Sequence, residues 1–106
     1  MSFLVVSLQY DVKPEYREPY LDAMKLVREN ALDLGAVDYL LLEDDAKSNR
    51  FTELVVYDSW LQYDRARTSA PTGEMAGIFD RMEQWLEGGS NAAEVQFRKT
   101  VLGGWV

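Results

Sequence analysis

An α+β fold is predicted for this chain: an antiparallel four-stranded sheet with helices on one face. Three observations predict it. Four short runs have the β-branched and apolar character of strands. Between them, longer stretches repeat apolar residues at helical spacing. The two middle strand runs are separated only by a polar turn, so they read as a hairpin.

The elements follow in order. Phe3 to Tyr10 reads as the first strand. Pro14 suits the start of a helix, where its missing N–H is not needed, and Glu15 and Glu18 favour the same end. Tyr16, Tyr20, Ala23, Met24, Val27, Ala31 and Leu34 then recur at helical spacing, with Arg17, Asp22, Lys25, Arg28 and Glu29 opposite. Pro19 must lie in the first turns or the helix bends there, and Gly35 stops it. Ala36 to Glu43 is the second strand, Asp44 to Asn49 the turn, and Arg50 to Asp58 the third strand. Ser59 to Ser69 is a short helix opened by a capping pair, Ser59 with Gln62, and broken by Pro71 and Gly73. Glu74 to Glu87 is a further helix whose stripe is Met75, Ile78, Phe79, Met82, Trp85 and Leu86. After the Gly88-Gly89 turn, Ala93 to Leu102 is the fourth strand. Gly103, Gly104, Trp105 and Val106 form a tail with an apolar tip. The order β-α-β-β-α-β, its second helical segment split, is the ferredoxin-like pattern.

Alternate strand residues face opposite sides, and here both sides are apolar. Leu4, Val6 and Leu8 oppose Phe3 and Val5; Val37, Tyr39 and Leu41 oppose Leu40 and Leu42; Phe51, Val55 and Tyr57 oppose Leu54 and Val56. The chain's helices can cover one face. A second copy of the same sheet is expected to cover the other, giving a homodimer. A charge at a strand position such as Val55 is expected to disturb that face.

Composition narrows the function. The 106 residues suit one domain, 1–106. A net charge of −7 argues against nucleic acid as a partner. The absence of cysteine and histidine excludes disulfides, thiolate or imidazole metal sites and Ser-His triads. No cofactor or metal is therefore expected. Glu43-Asp44-Asp45 lacks the spacing of a calcium loop. No run reaches about eighteen apolar residues and the start has no cationic leader, so no membrane association and a cytoplasmic location are expected.

Certain stretches carry a resemblance: Val12-Lys13-Pro14-Glu15, Leu34-Gly35-Ala36-Val37-Asp38-Tyr39, Asp44-Asp45, Arg50-Phe51-Thr52-Glu53 and Val56-Tyr57-Asp58-Ser59-Trp60. In them the chain resembles the antibiotic biosynthesis monooxygenase superfamily of dimeric α+β barrels. On Phe51, Glu53, Ser59, Trp60 and the arginine-bearing helix that follows, it is most similar to the monooxygenase-like domain at the C-terminus of some major-facilitator exporters. The resemblance implies a pocket between sheet and helices. In active members that pocket oxidises aromatic polyketides or quinols with dioxygen and without metal or flavin. Many members carry a histidine in the helix after strand three. Here Ala66 or Arg67 stands there, which argues against the haem-degrading branch.

The candidate site residues each have two readings. Glu53, inside an apolar strand, is the candidate catalytic base if buried, or a salt-bridge partner of Arg98. Trp60 and Tyr57 are candidate walls for an aromatic ligand, or simply packing. Arg98, with Gln96 and Glu94 on one side of strand four, could stabilise a substrate oxyanion or be a solvated edge. Arg67 could bind a phenolate or pair with Asp64 or Asp58. The expectation is a cofactor-free monooxygenase-like protein acting on a small aromatic or quinol-type substrate. The alternatives are a non-catalytic binding or dimerisation module of the same fold, and an isomerase using a lone carboxylate.

Overall fold

The computed structural model describes residues 2–105. Strand β1 (Leu4–Asp11) leads through a 3₁₀ turn, Pro14–Tyr16, into helix α1 (Arg17–Asp33). The hairpin of β2 (Asp38–Glu43) and β3 (Arg50–Tyr57) follows, then α2 (Trp60–Thr68), α3 (Glu74–Trp85), a second 3₁₀ turn at Ser90–Ala92, and β4 (Glu94–Lys99). The strands lie in the order β2-β3-β1-β4, every neighbour antiparallel. This is the ferredoxin-like α+β arrangement that the element order predicts.

Local chemistry explains most of the boundaries. Pro14 opens the 3₁₀ turn rather than α1 itself. Pro19 is the third residue of α1, where a backbone N–H has no helical partner to lose. Only half of the expected capping pair forms. The Ser59 hydroxyl accepts from the Gln62 N–H at 3.1 Å, but the Gln62 side chain donates to the Leu34 carbonyl at 2.8 Å instead of returning to Ser59. That bond crosses the chain at Gly35, whose φ of +100° keeps its α-hydrogen where a side chain would strike Gln62. β4 stops at Lys99, three residues short of the expected end, because Thr100 turns back to exchange hydrogen bonds with Phe3.

The core lies between the inner face of the sheet and α1 and α3. Leu4, Val6, Tyr10, Tyr39, Phe51, Val55 and Tyr57 meet Tyr20, Met24, Val27, Ile78, Met82 and Trp85. The end of α3 is clipped to β1 by Lys13 N–H on the Trp85 carbonyl and Glu87 N–H on the Asp11 carbonyl, each 2.9 Å. Two expectations are corrected. Phe79, placed on the core stripe of α3, is exposed. Val55 is a core residue facing the helices, so a charge there tests the core and not the outer face.

The outer face divides in two. Over β1 and β4 it is polar, with Ser7, Gln9, Thr52, Gln96 and Arg98 around a shallow cleft. Over β2 and the facing half of β3 it is apolar: Leu40 and Leu42 are 44 % and 45 % exposed, whereas Val56, paired with Asp38, is 0 % exposed. The tail accounts for the difference. Trp105 donates its indole N–H to Asp38 Oδ2 at 2.7 Å, and its ring meets Phe3 edge-on at 5.7 Å. Asp38 stands beside Val56 in the register, so the tail lies across that corner of the sheet. Val106, the last residue of the predicted apolar tip, lies outside the described residues.

Candidate active site

Glu53 occupies the centre of β3 on the inner face, in line with Phe51, Val55 and Tyr57. Period-two alternation puts it there, so a carboxylate points where its neighbours on the strand point apolar groups. Three strands and one helix supply its surroundings. Tyr39 of β2 donates its hydroxyl to Oε1 at 2.6 Å, and Tyr10 of β1 donates to Oε2 at 2.8 Å. Tyr20 of α1 is 2.7 Å from the Tyr10 hydroxyl. Both tyrosines of the strands sit diagonally from Glu53, since Leu8 and Leu41 are its direct cross-strand neighbours. Glu53 therefore has hydroxyl donors and no lysine or arginine on its carboxylate.

The electrostatics follow from that arrangement. Burial raises the Glu53 carboxyl above its ordinary range, and the bonds from Tyr39 and Tyr10 pull it part of the way back. Burial, and then the charge of Glu53, pushes the Tyr10 and Tyr39 hydroxyls far up, so both remain neutral donors. The group can hold and release one proton at Glu53. Its donor set of one carboxylate and hydroxyls, without imidazole or thiolate, suits proton transfer better than metal ligation.

The row of residues through Glu53 is less covered than the row beside it. Leu41, Glu53 and Leu8 are half-buried and Val95 is 48 % exposed. In the adjacent inner row, Tyr39, Val55 and Val6 are buried, and Phe97 at the same β4 edge is 44 % exposed. An aromatic group stands further along the inner face. Trp60 lies 5.2 Å from Phe97, Tyr63 lies 5.5 Å from both Phe97 and Tyr57, and Trp60 is 5.8 Å from Tyr63. Tyr57 is four residues along β3 from Glu53, roughly 13 Å on the same face.

The predicted site residues separate accordingly. Glu53, Tyr57 and Trp60 share the helix side of the sheet. Arg98 does not. Its cross-strand partner is Val5, and its guanidinium reaches Ser7 at 3.3 Å and Gln96, all on the outer face. It can form neither the expected salt bridge with Glu53 nor an oxyanion contact beside it. Arg67 is held by Asp64 at 2.8 Å, lies over the Tyr63 ring, and borders a cleft of about 380 Å³ between the helices. The sequence offers tyrosine hydroxyls in general as pocket lining, and Tyr39 and Tyr57 as sharing a face, but neither the bonding of Tyr10, Tyr20 and Tyr39 around Glu53 nor the packing of Tyr63 on Phe97. Strand parity groups Tyr10 with Leu4, Val6 and Leu8, and Tyr39 with Leu41, but only the register brings them to Glu53.

A family model described as transmembrane secretion effector matches residues 2–101. The chain belongs to that family. This member has no helix, among its described residues, that is long and apolar enough to cross a membrane. No curated protein matches it. Its fold is that of antibiotic biosynthesis monooxygenase proteins. A provisionally named antibiotic biosynthesis monooxygenase from Bordetella bronchiseptica is similar with a TM-score of 0.77 and 13 % identity, over 96 % of this chain and 100 % of that one. A conserved protein from Methanosarcina mazei Go1 gives 0.76 and 20 % identity, over 92 % of each chain. A variant of SnoaB, a cofactor-independent oxygenase from Streptomyces nogalater, gives 0.74 and 12 % identity over 95 % of each. Likeness at these identities speaks for the fold.

Proposed function

We propose that this transmembrane secretion effector member is a single monooxygenase-like domain that oxidises a small aromatic or quinol-type compound without a cofactor. The observation that carries the reading is the Glu53 carboxylate: desolvated, bonded by two tyrosine hydroxyls, and with no lysine or arginine on it among the described residues. Glu53 takes a phenolic proton, and the electron-rich anion that remains is the species dioxygen oxidises. A hydroquinone and one dioxygen balance as a hydroxyquinone and one water, so the substrate supplies all the electrons. Trp60, Tyr63 and Phe97 offer rings against which a flat ligand packs. Tyr57 closes the far end of the same face. Similarity to SnoaB, itself a cofactor-independent oxygenase, supports the reading. Two copies joined through their outer sheet faces would cover Leu40 and Leu42.

Oxygen uptake with a panel of hydroquinones and polycyclic phenols, without added metal or flavin, tests this. Turnover is expected, and Glu53→Gln should lower it by about 10² to 10⁴. A second reading, a non-catalytic binding or dimerisation module, has its own support: Glu53 borders none of the four clefts described at the surface. Neither uptake nor binding across the panel would decide for that module.

A further inference from the structure

The proposed base leaves three buried hydroxyls to be explained. A tyrosine hydroxyl carries one proton. The Tyr39 proton is committed to Glu53 Oε1 and the Tyr10 proton to Oε2. With Glu53 ionised, Tyr10 therefore has none left for Tyr20, and the 2.7 Å bond between them runs from Tyr20 to Tyr10. All three hydroxyls point their protons toward the carboxylate, in the sequence Tyr20 to Tyr10 to Glu53, with Tyr39 closing the other side. The two direct donors come from strands on opposite sides of β3. Turning the carboxylate about its terminal bond would break both contacts at once, so its plane is fixed, and with it the direction of the lone pairs left for a substrate proton.

We propose that Tyr10 and Tyr39 are positioning residues that lock the plane of the Glu53 carboxylate, and that Tyr20 acts through Tyr10 by orienting its hydroxyl. The proposal rests on Glu53 being the base, and it adds the residues that aim it. The titratable groups facing Glu53 are these three, Tyr10 from β1, Tyr39 from β2 and Tyr20 from α1, with Tyr57 further along β3. α3 contributes Ile78, Met82 and Trp85 to the core, none of which titrates. Hydrogen bonds to the ionised form favour that form. Removing a donor that truly points at the carboxylate must therefore raise the pH at which Glu53 titrates, whereas a tyrosine that only fills space would leave it unmoved.

The experiment is a carboxyl ¹³C NMR titration of glutamate-labelled protein, with the Glu53 signal assigned by its loss in Glu53→Gln. Tyr10→Phe and Tyr39→Phe should each raise the Glu53 midpoint by about one pH unit or more, the size of a charge-assisted bond. Tyr20→Phe should raise it less, because a polarised donor weakens when its own donor is removed. Tyr16→Phe, whose hydroxyl bonds Gln84, should not move it. Global replacement by 3-fluorotyrosine keeps every ring and strengthens every hydroxyl donor, so it should lower the midpoint, and it serves if a phenylalanine variant does not fold. An unmoved midpoint in Tyr10→Phe and Tyr39→Phe, or with fluorotyrosine, overturns the proposal even if oxygen uptake depends on Glu53. Shifted midpoints in a protein that consumes no dioxygen uphold the lock while removing the reaction it was proposed to serve.

Discussion

Glu53 stands where β3 would otherwise give the helices a fourth apolar side chain, and its protonation is tied to stability. Its folded-state pKa is raised by burial, whereas in the unfolded chain it is ordinary. The folded state thus binds the proton more tightly. The stabilisation is full below the ordinary carboxylate range and is lost as pH rises through the folded value. Glu53→Gln lacks this dependence. In urea unfolding across acid to neutral pH, wild type should lose stability relative to the variant as pH rises; a relative gain would contradict the buried assignment. Glu43 behaves in the opposite sense. The Arg17 guanidinium holds its carboxyl down to about 2. Its contribution is present above the ordinary carboxylate range and is lost as pH falls toward that value. Arg17→Ala should therefore unfold at a higher pH on acid titration, read by far-UV circular dichroism. The two carboxylates look alike in the sequence. Parity does not separate them, for Glu43 is in step with Tyr39 and Leu41 as Glu53 is with Phe51 and Val55; only the fold brings Tyr10 and Tyr39 to one and Arg17 to the other.

Among the three α-helices of the described residues, α2 has the least to hold it. Its one buried residue is Ala66, and its start depends on Ser59. Ser59→Ala should cost about 1 kcal/mol in thermal or urea unfolding. Because α2 carries Trp60 and Tyr63 to Phe97, the same change should loosen the aromatic group, visible as altered near-UV circular dichroism. The junction of α1 and β2 is a second weak point. Gly35→Ala imposes a left-handed backbone on a residue with a side chain and drives its Cβ into Gln62, 2.1 Å away. A loss of about 1–2 kcal/mol for the backbone alone is expected in the same assay. Helix and strand existence, the split at Pro71 and Gly73, and the Ser59 cap were legible because they depend on neighbours within a few residues. The second half of the capping pair was not. Gln62 finds the Leu34 carbonyl, which only the folded chain brings near.

For the whole molecule, the open question is the outer face of the sheet. Leu40 and Leu42 are exposed on it, and light scattering of the purified chain should give twice the mass of the chain. Leu42→Lys should shift that mass toward the single chain and leave the inner core folded; an unchanged mass would place the contact elsewhere. Asp38→Ala should free the part-buried Trp105 indole, uncover Val56 and red-shift the tryptophan emission, with Trp60→Phe removing the exposed indole from the signal. The sequence by itself determined the element order, the ferredoxin-like topology and a carboxylate inside an apolar strand run at residue 53. Period-two and helical spacing are local properties, and a hairpin needs only its turn. Tertiary structure alone decided that Arg98 and Glu53 lie on opposite faces of one sheet, that Tyr10, Tyr20 and Tyr39 converge on one carboxylate, and that the tail folds over Val56. Each of these depends on which strands are neighbours and in what register, and that is fixed by packing between residues far apart in the chain.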